Sequence, residues 1–202
     1  MRASVFIRTA AALACAAAVG IAGAASPGTA APDFTVADAT GKPVKLSEYR
    51  GKFVVLEWTN PECPFVRKHY NSQNMQGLQK EYGAKDVVWL TINSTNSSHN
   101  EYKSPDQMAN WMRTQGAAPK ATLIDATSAT ARTYSAKVTP HMFVIDPTGK
   151  LVYNGAIDDK RSTDVADVKI ANNYVRAALT EAMAGKPVTV ASTAPYGCTM
   201  KF

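Results

Sequence analysis

The chain has 202 residues, 46% of them hydrophobic, and 22 Lys and Arg against 16 Asp and Glu give it a formal net charge of +6. That length suits one domain with a single sizeable core and requires no second one. The basic residues are scattered among acids, which argues against nucleic acid as a partner. No segment offers about 20 uninterrupted apolar residues, which argues against stable membrane insertion.

Residues 1–25 carry Arg2 and Arg8, then an alanine-rich apolar run, then Ala22-Gly23-Ala24-Ala25. This is the layout of a secretory signal peptide, cleaved after Ala24 or Ala25. A rival, lipid attachment at Cys15 in Ala12-Leu13-Ala14-Cys15, is disfavoured because the apolar run before Cys15 is short and continues past it. The mature chain is then exported, to the periplasm or beyond it, with a charge near +4 once the two arginines leave. It keeps two cysteines, Cys63 and Cys198, in a compartment where a disulfide persists.

Residues 26–32 read as a flexible leader of small residues and proline. Two short β-segments follow, 34–37 and 44–46, around the turn-forming Ala39-Thr40-Gly41-Lys42. The run 53–59, Phe-Val-Val-Leu-Glu-Trp-Thr, suits a central strand covered on both faces. A helix is expected from Cys63-Pro64, since proline fits the first helical position, and it runs on through Met75, Leu78 and Tyr82 with a kink at 71–74. Residues 87–92 give a second buried strand, and Ser104-Pro105-Asp106 caps a helix that buries Met108, Trp111 and Met112.

A short strand at 122–124 and a short helix lead to Tyr134. The segments 142–146 and 151–155 flank Pro147-Thr148-Gly149-Lys150 and should pair as a hairpin. A final helix over 164–184 stops at Gly185. The tail, 186–202, has no periodicity but carries Cys198. Strands alternating with helices and closing on a hairpin plus helix specify an α/β fold: a central mixed β-sheet flanked by helices, with an N-terminal β-hairpin extension, in one domain over 33–185.

Cys63 directly follows a buried strand at the start of a helix. Its sulfur would face unpaired backbone N–H groups and the positive end of the helix dipole, which favour the thiolate. Arg67, one turn on, adds a cation, and Glu62 opposes ionisation. The bland reading of such a cysteine is a small buried hydrophobe. Strand end, following proline and nearby cation favour a reactive thiol.

Several segments together resemble a known family: Pro32-Asp33-Phe34-Thr35, Gly41-Lys42-Pro43-Val44-Lys45-Leu46-Ser47, Gly51-Lys52-Phe53-Val54-Val55-Leu56 and Phe143-Val144-Ile145-Asp146. They look like the redoxin set of the alkyl hydroperoxide reductase/thiol-specific antioxidant family and its thioredoxin-like relatives, over about 31–184. The resemblance implies a thioredoxin-like fold and thiol redox chemistry without a cofactor. Two departures bear on mechanism. Asn60 and Leu56 stand where a peroxiredoxin has threonine or serine and proline, and Thr139-Pro140-His141 replaces its peroxide-polarising arginine. Thr139-Pro140 resembles instead the cis-proline of thioredoxins, which packs beside the nucleophilic cysteine and shapes a groove for a partner's backbone.

Cys63-Pro64-Phe65-Val66 has valine where a Cys-x-x-Cys oxidoreductase keeps its second cysteine. The chain most resembles peroxiredoxin-like redoxins with one helix-start cysteine in a Cys-Pro-Phe-Val-Arg context and a glycine-cysteine near the C-terminus. In that reading Cys63 is the nucleophile on a peroxide or a disulfide. Asn60, Pro64, Arg67, Thr139 and Pro140 support it, Cys198 resolves the product, and an external thiol is the reductant. The alternative is a binding module for a partner or a metal in which Cys63–Cys198 is only a staple. His69 and His141 lack the spacing of a ligand set, so no metal is expected.

Overall fold

In the computed structural model, which describes residues 25–202, the central strand is β3 (Val54–Trp58), buried on both faces. The expected signal segment, with Cys15, lies outside the described residues except for Ala25. β3 pairs in parallel with β4 (Val88–Asn93), which pairs in parallel with β5 (Ala121–Ile124). On its other side β3 pairs antiparallel with β7 (His141–Ile145), which forms a hairpin with β8 (Leu151–Gly155). The sheet order is β5-β4-β3-β7-β8, mixed as expected. The short strands β1 (Thr35–Ala37) and β2 (Pro43–Lys45) make the separate N-terminal hairpin.

Alternation along β3 divides the core. Val54, Leu56 and Trp58 pack on one face with Tyr134 of α4 (Ala129–Tyr134), Phe143 and Met200. Val55 packs on the other with α1 (Pro64–Asn71), α2 (Asn74–Gly83), α3 (Pro105–Thr114) and α5 (Tyr174–Met183). Pro64 starts α1 and Cys63 is its N-cap. The expected kink is a full break, with Gln73 in the left-handed region at φ 61°. Ser104 caps α3 through a box in which its hydroxyl accepts from the Gln107 N–H and Gln107 returns a bond to the Ser104 N–H.

Four expectations shift. The second β-segment ends at Lys45, because Leu46–Tyr49 turn into a 3-10 helix that tucks Leu46 into the core. Trp111 is half-buried, with its ring against Tyr70 at 4.6 Å between centroids. The helix expected over 164–184 is two pieces, a 3-10 segment Val165–Lys169 and α5, because Asn173 takes an extended conformation and caps the Arg176 N–H. The leader 26–32 lies bonded along the β7–β8 turn through Gly28 N–H to Leu151 O and Ala31 N–H to Gly149 O.

Glu57 sits in the middle of β3, fully buried. Tyr70 Oη donates to one of its oxygens at 2.7 Å, and Trp89 Nε1 and Gln79 Nε2 donate to the other at 2.8 and 3.2 Å. Loss of hydration outweighs these donors and pushes the carboxyl up to about 7. The folded chain therefore takes up a proton between the ordinary carboxylate range and about 7, so stability falls as pH rises across that window. From about pH 5 to about pH 8 the wild type should lose about 2 kcal/mol relative to Glu57→Gln, read from urea midpoints. Parallel profiles for the two proteins would contradict the shift.

Candidate active site

The handover from β3 to α1 places the candidate residues. Asn60, Pro61 and Glu62 form the turn, and the Cys63 N–H donates to Asn60 O at 3.0 Å. Asn60 is buried and braces this turn: its Nδ2 donates to Glu101 Oε2 at 2.8 Å and its Oδ1 accepts the Glu62 N–H at 2.9 Å. Both ends of that amide are thus committed away from the sulfur.

Arg67 is committed too. Its Nε donates to Pro61 O at 2.7 Å and its NH2 to Glu62 Oε2 at 2.8 Å. Lys103 meets the other oxygen of Glu62 at 2.7 Å. The Lys103 ammonium, then Arg67, hold the Glu62 carboxyl below the usual carboxylate range. The acid expected to oppose ionisation of Cys63 is therefore matched locally by two cations. What faces the sulfur is the start of α1, where Cys63 makes no side-chain cap bond and proline at the first position has no N–H.

Cys198 reaches Cys63 from the far end of the chain. The two lie at disulfide-bonding distance, with Cα atoms 5.9 Å apart across 135 residues of sequence. The tail that delivers Cys198 first runs beside β8, with Thr193 N–H donating to Asn154 O. It then pairs as β9 (Cys198–Thr199) with β6 (Val138–Thr139), antiparallel, with Thr139 opposite Cys198. Gly197 adopts φ 152°, and its Cα lies so close to the Thr139 carbonyl that a side chain there would overlap it.

Thr139–Pro140 is cis, and Cys63 Sγ lies 3.0 Å from Thr139 O. Thr139, Pro140, Cys63 and Cys198 therefore come together, with Pro64 starting the helix beneath them. Cys63 is only 1% exposed in this paired state, packed in the helix-side core, whereas Cys198 is partly exposed. His141 lies next to Pro140, buried, its Nε2 without a partner, and burial pushes its imidazole down to about 4. Its ring packs 4.5 Å from Phe143.

A second buried group adjoins the pair and escaped the sequence reading. Lys68 and His69 of α1, Asp158 of the loop after β8, and Tyr196, two residues before Cys198, cluster out of solvent. Spacing along the sequence gives no sign of it, because its members sit on three distant segments. Glu101 as partner of Asn60 was missed for the same reason.

Among the described residues no three or more His, Cys, Asp or Glu side chains converge as a metal site, and no helix is long and apolar enough to cross a membrane. The pair can form and break a disulfide, and the helix start can hold the charge released on Cys63 when it breaks.

With this geometry in place, the comparisons agree with one another. The family model described as AhpC/TSA family matches residues 27–154. No curated protein matches the chain. Among solved structures, an uncharacterized conserved protein from Geobacillus kaustophilus superposes with a TM-score of 0.77 at 27% identity, covering 88% of this chain and 93% of that one. A hypothetical protein from Sinorhizobium meliloti 1021 gives 0.75 at 25% identity, covering 88% and 94%. The pneumococcal exposed lipoprotein thioredoxin from Streptococcus pneumoniae strain TIGR4 gives 0.50 at 27% identity, covering 69% and 98%. The chain belongs to the AhpC/TSA family, and it is at the general level a thioredoxin-like thiol oxidoreductase.

Proposed function

We propose that this chain is an exported thiol–disulfide exchange enzyme in which Cys63 is the nucleophile and Cys198 the resolving thiol. The observation that carries the reading is the meeting of Cys63, at a helix N-cap, with Cys198 on a tail strand paired beside Pro140. In the dithiol form, Cys63 thiolate attacks one sulfur of a substrate disulfide. A mixed disulfide forms and the other substrate sulfur leaves as thiolate with the electron pair. Cys198 then attacks Cys63 Sγ, expels the second substrate thiolate and closes the protein disulfide.

Burial argues for how the disulfide reopens. In the closed pair Cys63 is only 1% exposed, whereas Cys198 is partly exposed, so Cys198 is the residue an incoming thiolate meets first. The reductant therefore attacks Cys198, and Cys63 departs as thiolate, favoured by the helix N-terminus as the better leaving group. A second reductant thiol then attacks this mixed disulfide and frees Cys198.

Family membership names peroxide as the other electrophile. Against it, the bonds that Asn60 and Arg67 make run to Glu101, Pro61 and Glu62 rather than toward the sulfur, and His141 stands where the arginine beside Pro140 is missing. The structural-staple reading is disfavoured because Cys198 is partly exposed and Cys63 caps a helix, a position that favours its anion.

Reduced Cys198→Ser protein mixed with oxidised glutathione should accumulate a mixed disulfide on Cys63, at least about tenfold faster than Cys63→Ser forms one on Cys198. Its reaction with hydrogen peroxide should stay near that of an ordinary thiol. Fast peroxide oxidation with slow disulfide exchange would reverse the assignment. A separate acid quench during reduction of the wild-type disulfide by glutathione, followed by alkylation and mass spectrometry, should find glutathione on Cys198 and the alkyl group on Cys63. The opposite labelling would refute the entry route.

A further inference from the structure

Between Lys186 and Thr199 the tail has one buried side chain, Tyr196. Its ring packs edge-on against Phe65, with centroids 5.7 Å apart, and its hydroxyl enters a fully internal polar cluster. There it donates to Asp158 Oδ1, which also accepts the Lys160 N–H at 3.0 Å. Lys68 Nζ donates to Lys160 O at 2.7 Å and to Tyr196 Oη at 3.4 Å, and stands 3.6 Å from Asp158 Oδ2. His69 Nε2 lies 3.4 Å from Tyr196 Oη, while its Nδ1 faces Asn74 Nδ2 at 2.9 Å.

Burying a lysine and an aspartate this completely is a poor way to add stability, because desolvation offsets most of their attraction. Well-packed apolar residues would serve as well or better. What such a cluster offers is a fixed register, since the bonds of Tyr196 and Lys68 form in one arrangement of these segments only, and Asp158 Oδ2, which accepts no hydrogen bond, has just the Lys68 ammonium to face. The register here is of a particular kind. Lys68 and Phe65 ride on the helix that begins at Cys63, and Tyr196 lies two residues before Cys198. The polar cluster and the disulfide therefore join the same two segments, helix and tail. Gly197, held against the Thr139 carbonyl, is the short rigid link between them.

We propose that Tyr196, Asp158 and Lys68 form a clasp that positions Cys198 against Cys63 and thereby sets the thiol–disulfide equilibrium of the pair. The clasp needs no covalent bond of its own, so it holds the tail over α1 in the dithiol form as well. It keeps the effective concentration of Cys198 at Cys63 high, and a high effective concentration favours the disulfide. The three side chains are positioning residues, touching no substrate. The inference rests on the reading that the pair opens and closes in function.

The test is the equilibrium of Cys63 and Cys198 with glutathione redox buffers, read as the oxidised fraction by alkylation and mass spectrometry. Tyr196→Phe keeps the ring and removes only the hydroxyl, so it retains the packing on Phe65. Losing this hydrogen bond to a carboxylate should lower the equilibrium constant for disulfide formation about tenfold or more. Lys68→Met with Asp158→Asn should do the same without leaving an unpaired buried charge. Adding Tyr196→Phe to that double variant should change little further, because the clasp is already open. Purely structural residues would lower the thermal midpoints of oxidised and reduced protein equally and leave the equilibrium within about twofold of wild type, and that result overturns the proposal. Failure of reduced Cys63 to attack an external disulfide would instead sink the exchange reading, and the glutathione equilibrium would still report on the clasp.

Discussion

Everything at this site follows from where β3 hands the chain to α1. A strand buried on both faces ends at Trp58, a braced turn of Asn60, Pro61 and Glu62 follows, and the next residue is a cysteine capping a helix that opens with proline. The turn leaves the sulfur no freedom to wander, because Asn60 ties it to Glu101 and Arg67 ties it to the Pro61 carbonyl. The Thr139 carbonyl and the tail strand paired beside it close over the sulfur. The protein is arranged so that one thiol meets a helix N-terminus on one side and a second thiol on the other.

The helix-side layer accommodates two buried acids in different ways. Glu57 is fully buried, and loss of hydration outweighs its neutral donors, so its carboxyl is pushed up to about 7. Asp158 faces Lys68 and Tyr196 and has a cation beside it. His69 beside Asp158 is kept neutral mainly by burial, its imidazole pushed down to about 4 despite that carboxyl.

Much of this was legible in the residues. The alternation of apolar runs with turn signals gave the sheet strands close to their observed places, because strands covered on both faces leave long apolar runs. Pro64 after Cys63 and Ser104 before Pro105 marked helix starts through capping chemistry that is local to a few residues. Where local chemistry was ambiguous the reading failed. The stretch 164–184 has helical composition throughout, yet Asn173 takes the capping role and splits it. Glu57 stood in plain view within an apolar run, and its partners Tyr70, Gln79 and Trp89 could not be seen because they come from a helix, another helix and a neighbouring strand. The Lys68–Asp158–Tyr196 group was hidden for the same reason, since tertiary contacts alone define it. Cys198 was found from cysteine arithmetic and resemblance, and its delivery by a strand paired with β6 needed the fold.

The central claim is that the start of α1 stabilises the anion of Cys63. The most direct measurement is the pH dependence of alkylation at Cys63 in the Cys198→Ser protein, where the sulfur has no partner. The account predicts a rate that rises with a midpoint at least about one unit below the ordinary cysteine value of about 8.5. A midpoint at or above that value, or a folded protein in which Cys63 resists alkylation at every pH, would contradict it.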